Sequence, residues 1–394
     1  MATDTLSPAS LGQLLCALVS IPSINPSIAP GEGQGEGEIA AFARDWLLAH
    51  GVEAWLEEPA PGRPNAIGKV GTGDGPTIVF CAHLDTVATA GMTIAPFEPR
   101  IEGDRLYGRG SYDMKGGVAA VLAAMATLAR MDVKGTVLAA LVADEEYASL
   151  GAFDFVRRHA ADACIVTEPS EGVLVLAHKG FAWARIVARG RAAHGSRWDL
   201  GVSAVGRMAR IVDALERFDR DPLRQRSHPL TGPASLHCAT IVGGSGLSTY
   251  AHECTLEVER RTIPGETVEQ VRGELEAIVR EACEDASVEC FFDRPPLVCA
   301  PDSRVAICVR DAVTATTGQV PRDGGVGSWM DSAVFGQAGV STVIYGPTGA
   351  GAHEAVEWVS LASVVHTARV LVDAARRFCN GRSPRALTVT PNGL

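Results

Sequence analysis

Four runs of apolar residues, each of strand length and without polar alternation, constrain the fold of this chain more than any other feature. They are Thr77 to Ala82, Thr136 to Ala143, Ala163 to Val166 and Ser341 to Tyr345. A strand with one wet face alternates, whereas a continuous run is a strand covered on both faces, as in a parallel sheet between helices. Helical stretches lie around them: Leu11 to Val19, Ile39 to Leu48 ending at Gly51, and the Ala-, Leu- and Met-rich Val118 to Leu128. A Gly-rich connection, Pro30 to Gly37, joins the first two. Alternating strands and helices predict an α/β fold, with a mostly parallel sheet sandwiched by helices.

The middle third is patterned differently. Phe181 to Arg189, Leu236 to Val242 and Cys254 to Arg260 alternate apolar and polar residues, the last two more cleanly. Two amphipathic helices accompany them, one through Val205, Met208, Ile211 or Val212, and Leu215, the other through Val268, Val271, Leu275, and Ile278 or Val279. Strand, helix, strand, strand, helix, strand predicts an α+β (ferredoxin-like) domain whose sheet keeps one face open. It is inserted at 181–296, leaving 1–180 and 297–394 as the other domain. The tail from Asn380 onward, with Pro384, Pro391 and Gly393, reads as loosely held.

Composition excludes several partners. A net charge of -11 argues against a nucleic-acid footprint, which needs a basic face. Apolar stretches are broken well short of a membrane span. Met1 to Ser10 lacks the basic stretch and apolar core of a secretory signal. The ten Cys contain no C-x-x-C pair and read as reduced thiols, so the expected location is cytoplasmic.

Five acidic or histidine segments punctuate the chain: His83-Leu84-Asp85-Thr86-Val87, Gly108 to Gly117 around Asp113, Asp144-Glu145-Glu146, Thr167-Glu168-Pro169 and Ala352-His353-Glu354. Singly each is bland. Asp144-Glu145-Glu146 alone reads as a solvated turn, and Thr167-Glu168-Pro169 as a helix start. The segment around Asp113 lacks the spacing of a phosphate-binding P-loop. Together they are expected at the carboxyl ends of buried strands, the edge where open parallel sheets bind ligands. Imidazoles and carboxylates converging there are what a pair of divalent cations requires.

In these motifs the chain resembles the dinuclear zinc amidohydrolases and exopeptidases that include acetylornithine deacetylase, succinyl-diaminopimelate desuccinylase, aminoacylase and glutamate carboxypeptidase. The resemblance runs over nearly the whole chain. It implies that His83 and Glu168 hold one metal, that Glu146 and His353 hold the other, and that Asp113 bridges them, with a cis peptide after it. Asp85 is then expected to orient the His83 imidazole. The Glu at position 168 is similar to the deacylases and carboxypeptidases, where aminopeptidase relatives carry Asp. Nitrogen and oxygen ligands suit two Zn2+, and would accept Co2+ or Mn2+.

The resemblance further implies that Glu145 moves the proton in hydrolysis of an amide. His194 matches an oxyanion-stabilising histidine that reaches into a partner subunit, which implies a homodimer through the inserted lid; a histidine in a Gly-flanked loop is otherwise solvated. Arg261 matches the arginine that grips a substrate carboxylate, with a surface ion pair as the alternative. Ser248 stands where many relatives have Asn, Trp198 where Pro is frequent, and Ser203 where Asn is frequent. Gly327, in Gly327-Ser328-Trp329-Met330-Asp331, falls in a loop resembling those that line the substrate pocket. The implied activity is deacylation of N-acyl amino acids. The rivals are a dipeptidase or carboxypeptidase on the same scaffold, and a non-catalytic homologue that binds metal or amino acid.

Overall fold

The computed structural model describes residues 4–381, so the reading of the far C-terminal tail lies outside the described residues, as do positions 1–3. The chain forms two compact units. The first comprises residues 4–174, 300–322 and 334–381, and the second comprises Val175–Cys299 and Asp323–Ala333. The segment Asp323–Ala333, which the sequence assigned to the first domain, therefore groups with the second.

The first unit is a mixed α/β domain. Its sheet runs in the order Glu53–Ala60, Arg63–Val70, Thr136–Val142, Thr77–His83, Ala163–Val166, Ser341–Ile344. The last four strands are mutually parallel, and the first two form an antiparallel hairpin at one edge. That hairpin has no counterpart in the sequence reading. The parallel strands are buried almost throughout, as their unbroken apolar runs require. Helix Gly116–Leu128 is apolar on every side and buried nearly everywhere, because it packs on the Thr77–His83 strand and on helix Leu361–Asn380 together. Helix ends carry their own signals: Ser7 and Ser360 each accept a backbone N–H of the first turn, from Ser10 and Ser363 at 3.2 Å.

A smaller antiparallel sheet belongs to the same unit. Its order is Gly349–Ala350, Trp358–Ser360, Arg105–Tyr107, Arg100–Glu102. No helix among the described residues is long and apolar enough to cross a membrane, and all ten Cys are free thiols.

The second unit is built on four antiparallel strands in the order Ser235–Gly243, Glu253–Thr262, Gly180–Arg189, Ala286–Arg294. Ala182, Ala184, Ile186, Leu256 and Val258 face two helices. Helix Ala204–Phe218 presents Ala204, Met208, Ile211 and Leu215, and helix Val268–Ala282 presents Val271, Leu275 and Val279. The first stripe begins at Ala204 and not at Val205, which is exposed. Thr267 and Gln270 close a capping box at the start of the second helix.

Candidate metal centre

The strand Thr77–His83 ends by delivering His83 to the carboxyl edge of the parallel sheet. Glu168 lies just beyond Ala163–Val166, and Glu146 lies in the turn after Thr136–Val142. Asp113 and His353 arrive by another route. Asp113 follows Arg105–Tyr107 and precedes helix Gly116–Leu128, and His353 lies in the loop between Gly349–Ala350 and Trp358–Ser360. Both therefore hang from the small antiparallel sheet, which corrects the expectation that every ligand would follow a strand of the parallel one. The Asp113-Met114 peptide is cis.

The five side chains form two triads sharing Asp113: His83, Asp113 and Glu168, and Asp113, Glu146 and His353. Asp113 Oδ1 lies 3.2 Å from His83 Nε2, and Asp113 Oδ2 lies 3.3 Å from His353 Nε2. Glu168 Oε1 is 3.3 Å from His83 Nε2, and Glu146 Oε2 is 3.2 Å from His353 Nε2. Tetrahedral zinc with bonds of about 2.0–2.1 Å has ligand-to-ligand edges of about 3.3 Å. The donor atoms thus stand where ligand atoms of two neighbouring ions would stand, and the set is nitrogen and oxygen throughout. The residues fit a divalent metal pair.

Electrostatics agree. Three carboxylates face two imidazoles, so the centre is short of positive charge. Burial opposes charge on His83, yet Glu168 and Asp113 hold its imidazole well above its ordinary pKa. Hydrogen bonds that the His353 ring donates to Asp113 and Glu146 push its pKa up to about 10. Burial lifts the Asp113 carboxyl, but His353 and His83 outweigh it and hold it well below the usual carboxylate range. Glu168 is pushed up to about 7, by burial and by the neighbouring Asp113 charge.

Apart from Asp85, the supports of this cluster left no signal in the sequence. Asp85, expected to orient His83 through its carboxylate, does so through its backbone instead: His83 Nδ1 meets the Asp85 carbonyl at 3.0 Å. The Asp85 carboxylate accepts the backbone N–H groups of Glu145 and Glu146, both at 3.1 Å, and Asn25 Nδ2 at 2.8 Å. Asn25 also donates to Asp144 Oδ1 at 3.0 Å, and Arg63 Nη2 donates to the same oxygen at 2.8 Å. Arg63 is chelated by Glu36, whose Oε1 accepts the Asp144 N–H at 3.1 Å. Asp144 is held in the left-handed region (φ 72) by this network, which sets the direction in which Glu145 and Glu146 leave the strand.

Glu357 performs the same service for Asp113. Its Oε1 accepts the N–H groups of Tyr112 at 2.9 Å and Asp113 at 3.0 Å, and its Oε2 accepts from Gly110 and Arg109. Gly117 has a steric reason: a Cβ there would stand 2.5 Å from the Thr167 carbonyl oxygen, so only glycine lets this helix start abut the Glu168 loop.

The remaining candidates lie in the second unit. His194 and Ser248 are neighbours across paired loops, with Gly195 N donating to Ser248 O at 2.7 Å, and both are exposed. The His194 ring contacts Ser196 Oγ at 2.9 Å. Arg261 is on the open face of the four-stranded sheet, held by Glu259 at 2.5 Å, whereas Arg260 points to the opposite, buried side and pairs with Glu266. Gly327 is exposed just after Asp323–Val326, Ser203 caps helix Ala204–Phe218, and Trp198 is largely exposed.

The acetylornithine deacetylase of Vibrio cholerae is 26% identical to this chain over 384 residues, covering 92% of this chain and 97% of that protein. Among solved structures, aminopeptidase PepT of Bacillus cereus superposes with a TM-score of 0.80 at 20% identity, over 95% of this chain and 100% of that one. A dinuclear metal-binding peptidase of Bacillus subtilis does so with a TM-score of 0.73 at 15% identity, over 95% and 98%. The sequence profile of peptidase family M20/M25/M40 matches residues 79–377, most of the chain and every residue of both triads. This chain belongs to peptidase family M20/M25/M40.

Proposed function

We propose that this protein is a metal-dependent hydrolase that cleaves the amide bond of N-acyl amino acids. The observation that carries the reading is the division of Asp113, one oxygen facing His83 and the other His353. Two Zn2+ are the proposed ions, held by His83 and Glu168 and by Glu146 and His353, with Asp113 between them. When bound, such ions supply Lewis acidity at the amide carbonyl and a water acidic enough to attack near neutral pH.

Glu145 is the proposed proton carrier. Its neighbour Glu146 is committed to the cluster, and the Asp85 carboxylate fixes the backbone of both. Glu145 takes the proton of the attacking water and returns it to the departing nitrogen. Arg261 is assigned to the substrate carboxylate and His194 to the developing oxyanion, the latter across a homodimer. Ser248, beside His194, and Gly327 are assigned to substrate contact.

The amide preference follows the deacetylase name borne by the Vibrio cholerae relative. It is tested by supplying the zinc-loaded protein with N-acyl amino acids and with free-amine dipeptides. Release of the acyl group is the expected result. Hydrolysis of dipeptides alone would replace this reading with a dipeptidase.

A further inference from the structure

The open face of the second unit's sheet carries an aromatic surface that the proposed reaction does not use. Strand register lays it out in rows. Ser235, Arg261, Phe181 and Arg294 are cross-strand neighbours in one row, and His237, Glu259, Trp183 and Phe292 in the next. Alternation sends Ala182 and Ala184 to the helix-covered side and these rows to the other.

The rings interlock. Phe181 lies 5.3 Å from Trp183, 5.9 Å from Phe292 and 6.4 Å edge-on from Trp329, and Trp183 lies 5.0 Å from Phe292. Trp329 is pinned by its indole N–H to the Pro295 carbonyl at 3.0 Å, and Trp183 by its own to Glu259 at 2.9 Å. Trp183 remains 38% exposed although it is a large apolar ring. A rigid, partly uncovered aromatic platform suits a small apolar ligand, since it asks for little ordering on binding.

Charge on this face narrows the choice. The Arg261 guanidinium sits 5.2 Å from the Phe181 ring centre, and that of Arg294 sits 4.3 Å from Phe292 and 5.5 Å from Trp329. An incoming ammonium group would meet ring faces already shared with cations. Glu259 is engaged by Arg261 and Trp183, and Glu257 by Arg185. Lys179, immediately before strand Gly180–Arg189, adds a further positive group. A carboxylate for Arg261 with an apolar group beside it is the complementary ligand.

We propose that Phe181, Trp183, Phe292 and Trp329 form the side-chain subsite beside Arg261, and that the protein prefers N-acyl amino acids with aromatic or branched apolar side chains over cationic ones of the ornithine type. This inference rests on the reading of Arg261 as the carboxylate grip of an N-acyl amino acid hydrolase.

The test compares kcat/KM for N-acetylphenylalanine, N-acetylleucine, N-acetylalanine and N-acetylornithine on the zinc-loaded full chain. The phenylalanine and leucine derivatives are expected to exceed the alanine derivative roughly tenfold or more, as apolar contacts of this size allow, and to exceed the ornithine derivative as well. Trp329→Ala and Phe292→Ala are expected to lower the phenylalanine-to-alanine ratio by about tenfold, and Trp329→Phe to restore most of it. N-acetylornithine as the best substrate overturns the inference while leaving the hydrolase reading intact. Proportional loss on all substrates in both alanine variants overturns it too. Hydrolysis of none of the N-acyl amino acids defeats the underlying reading instead.

Discussion

Asp85 turns its backbone carbonyl toward His83, at 3.0 Å from Nδ1, and keeps its nearest carboxylate oxygen 3.6 Å away. The imidazole is thereby oriented by main chain, and the carboxylate is left to hold the Glu145-Glu146 turn. Asp85→Ala should therefore weaken metal binding by about 10- to 100-fold. The loss should fall chiefly on the ion held by Glu146 and His353. Titration of the metal-free protein against a competing chelator resolves the two steps; equal weakening of both would contradict this division of labour.

Glu145→Gln removes the proposed proton carrier while retaining the backbone N–H that Asp85 accepts. Metal content should stay at the wild-type level, and kcat should fall by about 10²- to 10⁴-fold. Activity near wild type, with two ions bound, would remove Glu145 from the mechanism.

The metal-free protein should become less stable as pH rises. His353 has a raised folded pKa, so its contribution is fully present below the ordinary value of 6.5 and is lost as pH climbs through about 10. Glu168, raised to about 7, acts in the same direction from about 4.5 upward. In chelator, Tm should decline between neutral pH and pH ~10, and His353→Ala should flatten that decline. Divalent metal should reverse it, because the ions supply the positive charge that protons otherwise bring. Thermal melts across pH, with and without metal, check the sign.

Arg63→Met should be strongly destabilising. Arg63 is buried between Glu36 and Asp144, and both carboxylates are fully buried. Removing one member of such a group leaves uncompensated buried charge, at a cost of about 3–5 kcal/mol. Urea unfolding of the metal-free variant measures it, and a change below about 1 kcal/mol would mean the network relaxes into solvent.

Arg261→Ala should raise KM for substrates with a free carboxylate and spare their carboxamide analogues. Steady-state kinetics on matched pairs decide this. An equal rise on both would leave Arg261 with only its structural contacts to Glu259 and Phe181.

The strands of the parallel sheet were legible because burial on both faces leaves an unbroken apolar run, a property of a few adjacent residues. His83, Glu146 and Glu168 were legible for a related reason, since each closes or follows such a run. Three of the insert's four strands were legible from alternation, and that alternation separates Arg261 from the buried Arg260. Asn25, Glu36, Arg63 and Glu357 were not legible. Asn25 bonds to Asp85 and Asp144 across 60 and 119 positions, and Glu357 bonds to Asp113 across 244. In sequence they are polar residues of loops and of an unremarked hairpin.

The local pattern of the chain thus determined which strands are buried and which side chains end them. Tertiary structure decided the rest: that Asp113 and His353 are delivered by a second, smaller sheet, and that Asp85 serves Glu145 and Glu146 more than His83. The reason is that a buried carboxylate must find donors wherever the fold brings them. Hydrogen-bond satisfaction at that distance leaves no periodic trace in sequence.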